Sequence, residues 1–434
     1  MRTFDEILTL NLHGSSKKSE VSPEGGKDEC VFDIKQGVAI TLMVKKAGFA
    51  AKDAKVFYAD LWGKRKEKFA ALESATMESI KWHEINPVEP MLFFVPKDTA
   101  GETEWNAGFG IAELMVVNSV SIVTANDKVL VDSDERVLMD KVSSAFGEIP
   151  DRGKITKYAY RPFDERHIYY DVKKIERPRE RVMRNMSAVD GEGNKALLTC
   201  RQLAGVDWSH VFIAEQMVDD NCVSNKSKER GYVFPLYLYE ENMGRIEKQV
   251  NMDSAIVAKI GAAVGGEVLP EDIFAYIYGV LHTPQYRKKF KEFLKSDFPR
   301  IPYPKDGAQF NTIAEVGRSL IDTHLMRDAA PGLSETRARF PKMGSNIVEE
   351  VRFDEGRVFI NAEQFFDNVP QIAWEMPIGG YRPAEKWLKD RKGRTLTGDD
   401  IKHYQRIIIA LMKTAEAAEK LETVAHEEFC GENA

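Results

Sequence analysis

The segment Tyr160-Arg-Pro-Phe-Asp-Glu-Arg-His-Ile-Tyr-Tyr170 places two arginines, an aspartate and four aromatic rings within eleven residues. Arginine carries a planar set of donors that matches phosphate oxygens and the O6/N7 edge of guanine. Aromatic rings beside such donors can stack on bases or hold the arginines in place. The segment therefore predicts a site for an anionic partner.

The sequence around this segment is basic, whereas the chain as a whole is acidic. Lys154–Arg184 contains ten basic and five acidic residues, a local charge of +5 in a chain whose total is -7. A local reversal of sign indicates an anionic partner more strongly than the total charge does. Because the total is negative, any contact with nucleic acid has to be a local patch or cleft.

Composition indicates a folded protein of two or three domains, since the chain has 434 residues of which 43% are hydrophobic and 10% aromatic. The cysteines Cys30, Cys200, Cys222 and Cys430 form no C-x-x-C pair. This spacing argues against a zinc ribbon or a disulfide framework and fits a reducing compartment. The sequence shows neither an apolar run of about 20 residues nor the apolar segment of a signal peptide. We therefore predict a cytoplasmic protein without membrane contact.

Hydrophobic patterning predicts an α/β fold in which helices and strands are mixed (α+β). Glu6–Leu12 and Val38–Val44 are predicted as strands, the second of them buried, and Asp134–Phe146 as a helix. Val233–Tyr239 contains Pro235, which favours an edge strand or an extended segment.

The C-terminal half is predicted to be rich in helices. Glu271–Leu281 and Gln285–Lys295 have helical spacing, and Thr283-Pro284 between them suits an N-cap followed by proline at the first helical position. Asp399–Glu427 carries a long apolar stripe, and Val348–Asn361 is predicted to be a hairpin.

Two further basic segments have an alternative interpretation. Tyr381–Arg394 contains a basic cluster made of Lys386, Lys389, Arg391, Lys392 and Arg394. This cluster suits either a nucleic-acid contact or a solvated helix end. Arg287–Lys295 is interpreted as the outer face of an amphipathic helix. Three basic segments with interleaved aromatic residues together favour a nucleic-acid partner.

A nuclease is a third interpretation. Pro150-Asp151 followed by Asp171-Val172-Lys173 has the spacing of a site in which two carboxylates hold Mg²⁺ and a lysine positions the attacking water. Asp151-Arg152-Gly153 also has the composition of an ordinary turn. The glycine-rich Gly261–Gly266 lacks the strand–loop–helix setting of a phosphate-binding loop and is predicted to be a loop.

Long segments of the chain resemble signatures of Type ISP and Type IIG-like restriction–modification enzymes. The segments similar to the C-terminal target recognition (specificity) domain of that family are Tyr160–Tyr170, Tyr276–Arg287, Asp297–Pro302 and Lys386–Arg394. The segments similar to the last strands of its amino-methyltransferase core are Leu10–Gly14 and Val31–Ile40. The resemblance follows the family's order through nearly the whole chain.

This resemblance implies the C-terminal part of an N6-adenine DNA methyltransferase that also restricts DNA. The implied fold is a remnant of an α/β methyltransferase sheet at 1–98, a connector with the Tyr-Arg-Pro-Phe-Asp motif at 99–186, and a multi-segment α+β target recognition domain at 187–434. The implied function is sequence-specific recognition of double-stranded DNA.

The chain departs from the family in its methyltransferase motifs. The family has an Asn-Pro-Pro-Tyr motif that holds the flipped adenine, whereas this chain has Asn86-Pro87-Val88 and no Asn-Pro-Pro. Gly108-Phe-Gly110 also lacks the setting of the family's S-adenosylmethionine loop. We expect no cofactor and no catalysis for this chain alone, with S-adenosylmethionine bound by the intact enzyme. An N-terminal methyltransferase and nuclease half could be encoded separately; alternatively, the chain is an inactive remnant or a subunit-interaction protein.

The resemblance and the basic segments together predict the site residues. The predicted DNA contacts are Arg161, Arg166, Tyr169, Lys173, Lys174, Arg300, Lys386, Lys389, Arg391, Lys392 and Arg394. Asp164, Tyr160 and Trp387 are predicted to support them. A motif shared by enzymes that recognise different sequences should not read bases itself. We therefore expect Tyr160–Tyr170 to brace the recognition domain or to grip the DNA backbone.

Overall fold

The structure is a computed structural model that describes residues 3–16, 20–46, 53–87, 92–96, 101–187, 193–203, 207–226, 229–242, 245–327 and 338–429. Contacts divide the chain into two compact units, Met1–Ala100 and Gly101–Ala434. Helices and strands alternate in both, which confirms the predicted mixed α+β class. Within the described residues, no helix is long and apolar enough to cross a membrane.

The first unit is built on one mixed sheet. Its elements are β1 Glu6–Asn11, β2 Ala39–Val44, β3 Lys55–Asp60, α1 Arg65–Ser74 and β4 His83–Ile85. The strand order is β2-β1-β3-β4, with β1 and β3 parallel and the other pairs antiparallel. Alternate residues of β1 belong to two small cores, one containing Ile7 and Val56 and the other Leu10 and Ala59.

The strand at β2 was predicted correctly, but its burial was not. Ile40, Leu42 and Met43 are 41%, 45% and 50% exposed. The reason is that β2 lies at the edge of the sheet, and the described residues cover neither of its faces. A continuous apolar run is typical of a strand buried on both faces. The prediction therefore assigned β2 a burial that its position at the edge of the sheet does not give it.

The described residues of the second unit form fifteen short strands. They are β5 Phe109–Gly110, β6 Ser119–Val120, β7 Val131–Asp132, β8 Ile155–Arg161, β9 Asp164–Tyr169, β10 Ala196–Cys200, β11 Val211–Ala214, β12 Met217–Val218, β13 Gly231–Pro235, β14 Tyr237–Asn242, β15 Arg245–Val250, β16 Arg300–Ile301, β17 Arg352–Asp354, β18 Arg357–Phe359 and β19 Phe365–Phe366. The sheet orders are β11-β10-β13-β6, β12-β8-β9-β7, β14-β15, β16-β5 and β17-β18-β19.

The helices of this unit surround those sheets. They are α2 Glu102–Ala107, α3 Ile111–Leu114, α4 Asp127–Leu130, α5 Glu135–Phe146, α6 Glu180–Met183, α7 Ser254–Val264, α8 Pro270–His282, α9 Pro284–Lys289, α10 Lys291–Leu294, α11 Gly307–His324, α12 Gln371–Glu375, α13 Pro383–Lys389 and α14 Gly398–Phe429. The predicted helix at 134–146 is confirmed as α5, with Asp134 as its N-cap. The predicted hairpin is confirmed as β17–β18.

The sheet β11-β10-β13-β6 separates two large cores. Leu198 and Val233 point into the core that contains the β8–β9 hairpin, whereas Leu197 and Phe234 point into the core of α8 and α11. This alternation follows from the period of two along a strand. It also corrects the prediction of an edge strand at Pro235, because β13 pairs with both β10 and β6. Proline is tolerated there since β6 pairs only with residues 232 and 233.

The predicted helix at 285–295 is interrupted. Phe290 separates α9 from α10, and Pro284 occupies the first turn of α9 as expected. The predicted outward position of Arg287 is wrong, because its Nε donates to the carbonyl oxygen of Leu281 at 2.6 Å. Burial lowers the pKa of this guanidinium to about 10. The carbonyl at the C-terminal end of α8 is a better partner for the cation than the apolar core around it.

Candidate functional site

The segment Tyr160–Tyr170 comprises the end of β8, the turn and the second strand of the β8–β9 hairpin. Arg161 pairs with Asp164 across a two-residue turn, Pro162-Phe163. Phe163 has a φ of 62°, a conformation that costs a residue with a Cβ on the order of 1–3 kcal/mol. Its ring is 6% exposed, and its carbonyl oxygen accepts a hydrogen bond from His403 Nε2 at 2.8 Å. Packing and this bond hold the strained turn in place.

The ring of Phe163 packs against a buried histidine that has partners on both nitrogens. The ring centroids of Phe163 and His324 are 5.7 Å apart and nearly perpendicular. His324 Nδ1 is 2.6 Å from the Tyr278 hydroxyl, and Nε2 is 2.9 Å from the Thr414 hydroxyl. Thr414 donates its own proton to the carbonyl oxygen of Ala410, so it accepts from Nε2. Burial lowers the pKa of His324 to about 3, and the ring is therefore neutral.

Arg161 points into the protein and not toward solvent. Its Nη1 lies 2.6 Å from Asp219 Oδ1 and also contacts the carbonyl oxygen of Tyr160. Asp219 accepts further bonds from the Tyr158 hydroxyl at 2.8 Å and the backbone of Asn221 at 2.9 Å. Burial opposes the charge of Arg161, but the Asp219 carboxylate outweighs it and raises the guanidinium's pKa. The arginine is therefore a permanent cation held inside the fold.

The ring of Tyr160 lies between two guanidinium groups. The Cζ atoms of Arg161 and Arg166 are 3.9 and 3.8 Å from its centroid. Its hydroxyl donates to Asp127 Oδ2 at 3.2 Å, and burial raises the pKa of Tyr160 to about 12. Each guanidinium is attracted to the π-electrons of the Tyr160 ring, and this attraction keeps the two like charges close together.

Asp164 joins the two basic segments that are far apart in the sequence. It accepts from Arg166 Nη2 at 2.8 Å and from Arg391 Nη2 at 2.9 Å. The Cζ atom of Arg391 in turn lies 3.5 Å from a ring centroid of Trp387. Burial would raise the pKa of Asp164, but Arg391 and Arg166 outweigh it and lower that pKa. We refer to Tyr160, Arg161, Asp164, Arg166, Asp219, Trp387 and Arg391 as the arginine cluster.

Three predicted DNA contacts are enclosed by the fold. Tyr169, Arg391 and Arg161 are 2%, 5% and 9% exposed. One terminal nitrogen of each arginine is in an ion pair, Arg161 Nη1 with Asp219 and Arg391 Nη2 with Asp164, and the Tyr169 hydroxyl accepts from the backbone of Asp151 at 3.3 Å. These three residues have partners inside the fold in this structure, and DNA contact by them stays a prediction.

The remaining predicted contacts lie nearer the surface. Lys173, Lys392 and Arg394 are exposed, and Arg394 donates to the Ser133 hydroxyl at 3.2 Å. The others form ion pairs: Arg166 with Asp164, Lys174 with Glu148, Arg300 with Glu113, Lys386 with Asp390, and Lys389 with Glu385. Ion pairs at the surface contribute little and exchange readily, so DNA contact by these residues stays a prediction.

The carboxylates of the nuclease interpretation have local structural roles. Asp151 accepts from the backbone of Gly153 at 2.9 Å and caps a 3-10 turn, as the turn interpretation predicted. Asp171 accepts from Lys154 Nζ at 2.8 Å and from the backbone of Lys173 at 2.9 Å. The described residues contain no group of three or more potential metal ligands. The geometry thus gives the nuclease interpretation no support.

A cavity opens beside the hairpin turn. Its volume is about 320 Å³, and Arg161, Phe163, Phe212, His324 and Arg406 are among the residues that line it. The cations Lys157, Arg161 and Arg406 on its wall are accompanied by the carboxylates Asp164 and Glu165. It adjoins the arginine cluster and belongs to the same region of the fold.

Sequence reasoning missed the carboxylate that holds Arg161. Asp219 lies 58 residues from Arg161, in a stretch without a motif that would single it out. It also missed the hairpin β14–β15, for which the sequence did offer a signal. Asn242-Met-Gly244 contains two residue types that are common in turns.

Comparison with known proteins identifies the second unit. The sequence model of the family described as the Type ISP C-terminal specificity domain matches residues 147–420. That range contains the whole arginine cluster. No curated protein sequence matches the chain.

Solved structures share the fold of nearly the whole chain. The DrdV–DNA complex, determined by cryo-electron microscopy, has a TM-score of 0.69 and 20% identity, and the match covers 97% of this chain and 47% of that one. For the ATP-dependent Type ISP restriction–modification enzyme LlaBIII bound to DNA, the TM-score is 0.69 and the identity is 18%. That match covers 97% of this chain and 31% of the LlaBIII chain. For a nuclease-deletion mutant of the Type ISP enzyme LlaGI with a DNA substrate mimic, the TM-score is 0.68 and the identity is 19%. That match covers 96% of this chain and 44% of the LlaGI chain. The chain thus spans less than half the length of these relatives.

Proposed function

Because the chain belongs to the family of the Type ISP C-terminal specificity domain, we propose that it recognises a specific sequence in double-stranded DNA. It would do so as the specificity portion of a restriction–modification N6-adenine methyltransferase. The observation that carries this proposal is the family match over 147–420, which includes the arginine cluster. The similar structures are complexes with DNA or with a DNA substrate mimic, which supports the same partner.

The arginine cluster acts in this proposal as a brace for a DNA-binding surface. Asp164 fixes the C-terminal end of α13 to the β8–β9 hairpin through Arg391. The exposed cations Lys389, Lys392 and Arg394 lie at that helix end. A rigid support reduces the entropy lost when such side chains bind phosphate. The surface lysines supply affinity for DNA, whereas the buried arginines hold the DNA-binding surface in a fixed shape.

Salt dependence tests the phosphate contacts. Lys389→Ala and Lys392→Ala should weaken binding to every duplex by a similar factor, and each should reduce the slope of log affinity against log salt by about one. The measurement is fluorescence anisotropy of the whole chain with labelled duplexes between 50 and 200 mM salt. Lys305→Ala is the control, because Lys305 is an exposed lysine elsewhere in the second unit. Equal slopes for all four proteins would contradict the assignment.

Methyl transfer, in this proposal, needs an additional polypeptide segment that carries the Asn-Pro-Pro-Tyr motif and the S-adenosylmethionine site. The edge strand β2 is a suitable place for it to pair, since Ile40, Leu42 and Met43 are exposed, and Phe32 and Ile34 beside it are 57% and 49% exposed. An exposed apolar edge is typical of a surface that another chain or segment covers.

Binding of S-adenosylmethionine tests whether the methyltransferase site needs the additional segment. We expect calorimetric titration of the chain alone with S-adenosylmethionine to give no heat of binding at micromolar concentrations. Addition of an upstream half that carries the missing motifs should restore binding. Micromolar affinity of the chain alone would mean that the methyltransferase site is complete without that segment.

A further inference from the structure

The β14–β15 hairpin forms a two-stranded ribbon apart from the other sheets of the second unit. Both strands have six residues, which corresponds to a length of about 20 Å. An isolated hairpin of two strands is marginally stable in water. Some other feature of the fold must therefore hold this ribbon in a fixed direction.

Three buried asparagines provide that support. Asn194 bonds both the backbone N–H and the carbonyl oxygen of Tyr237, at 3.2 and 2.7 Å, and Asn185 accepts from the backbone of Tyr239 at 2.7 Å. At the foot of the ribbon, Asn251 donates to the carbonyl oxygen of Pro235 at 2.8 Å. The asparagines are 1–3% exposed. Their carboxamides occupy the positions of a neighbouring strand, so they anchor the base of the ribbon and leave its far end exposed.

The register gives the ribbon two different faces. Residues opposite each other in an antiparallel pair share a face, so Leu238 with Gln249 and Glu240 with Glu247 form one face. The pairs on the other face are Tyr237 with Val250, Tyr239 with Lys248, and Glu241 with Ile246. We call the face with Glu240, Glu247 and Gln249 the polar face.

The opposite face contacts the body of the unit at Tyr237, whereas Ile246 and Val250 on the same face are 53% and 43% exposed. The hydroxyl of Tyr237 donates to Glu271 in the first turn of α8, and Lys248 Nζ lies 4.0 Å from the Tyr237 ring centroid. Glu240, Glu247 and Gln249 of the polar face are all exposed.

We propose that the polar face of this ribbon enters the major groove and reads base edges there. The inference rests on the proposed function and adds which residues determine the recognised sequence. A major groove about 12 Å wide and about 8.5 Å deep admits a two-stranded ribbon, and the three residues of β14 beyond the anchored Tyr239 extend about 10 Å. Glutamine can form two bonds with adenine, and glutamate can accept from the N4 amino group of cytosine. Gln249 and Glu240 are the assigned readers.

The faces offer a matched pair of variants. Glu240→Gln and Glu241→Gln remove the same charge from adjacent residues of one strand that lie on opposite faces. Gln249→Ala tests the second reader on the partner strand. The whole chain of each variant is used to select from a library of randomised duplexes, and the selected duplex and its single base-pair substitutions are then measured by anisotropy. Circular dichroism checks that each variant is folded.

The proposal expects Glu240→Gln and Gln249→Ala each to change the preference at one base-pair position by about 5- to 150-fold. Glu241→Gln should keep the wild-type preference, and all the variants should keep the wild-type salt slope. If the wild-type chain selects a sequence and both polar-face variants keep it unchanged, the ribbon is not the reader although the proposed function stands. A change of preference in Glu241→Gln alone assigns reading to the other face and overturns the proposal. If the wild-type chain selects no sequence, the proposed function itself fails.

Discussion

Asp164→Ala is expected to lower the free energy of unfolding of the second unit by about 3–5 kcal/mol, the typical cost of leaving a buried charge without its partner. Asp164 is 2% exposed and is the carboxylate that Arg391 and Arg166 share. Without it, the guanidinium of Arg391 faces the positive charge of Arg166 and the ring of Trp387. Burial lowers the pKa of Arg391, and its other carboxylate, Asp400, lies farther away, with Oδ1 3.9 Å from Nε. Most of the compensation for this buried cation is therefore lost with Asp164.

Guanidinium chloride unfolding followed by tryptophan fluorescence measures this loss, and hydrogen exchange in β8, β9 and α13 shows where it acts. Glu165→Ala is the matched control, because Glu165 is the next residue and forms an exposed ion pair with Lys157 at 3.0 Å. It should cost less than about 1 kcal/mol. A double variant, Asp164→Ala with Arg391→Met, should recover part of the loss, since both charges are then removed. Equal losses in Asp164→Ala and Glu165→Ala would mean that the cluster does not support the fold.

The sequence identified every member of the arginine cluster except Asp219, but it did not predict their arrangement. Tyr160–Tyr170 and Lys386–Arg394 stood out through composition and family resemblance, and both contribute to one site. Their connection depends on Asp164 and Arg391, which are 227 residues apart. No local pattern predicts such a contact. For the same reason the sequence could not show that Arg161 and Arg391 turn inward, where carboxylates neutralise them.

Local patterns predicted the elements of the fold better than their surroundings. The spacing at 134–146 and the turn at 354–356 gave a helix and a hairpin, because both depend on nearby residues. The apolar run at β2 gave a strand with the wrong burial, and Pro235 gave an edge where β13 has two neighbours. Burial and strand order depend on tertiary contacts between elements that are far apart in the sequence.

Gly317→Ala is expected to destabilise the second unit by about 3 kcal/mol or more, the upper end of the cost of overpacking. A Cβ at Gly317 would lie 1.9 Å from the carbonyl oxygen of Ala275 and 3.1 Å from the backbone nitrogen of Gly279. These atoms belong to the backbone of α8, so no rotation of a side chain relieves the clash. α8 would have to move away from α11, and both helices are packed in the same core.

The sign of this effect separates packing from helix propensity. Propensity alone predicts that alanine stabilises a helix by about 0.5–1 kcal/mol relative to glycine. Gly398→Ala is the control for propensity, because Gly398 is the first residue of α14 and a Cβ there would meet nothing within 4 Å. Denaturant unfolding of both variants should therefore give a large loss for Gly317→Ala and little change or a small gain for Gly398→Ala. A gain in both would show that α8 and α11 can separate at little cost. In that case the α8–α11 core would not be a rigid support for the anchored ribbon.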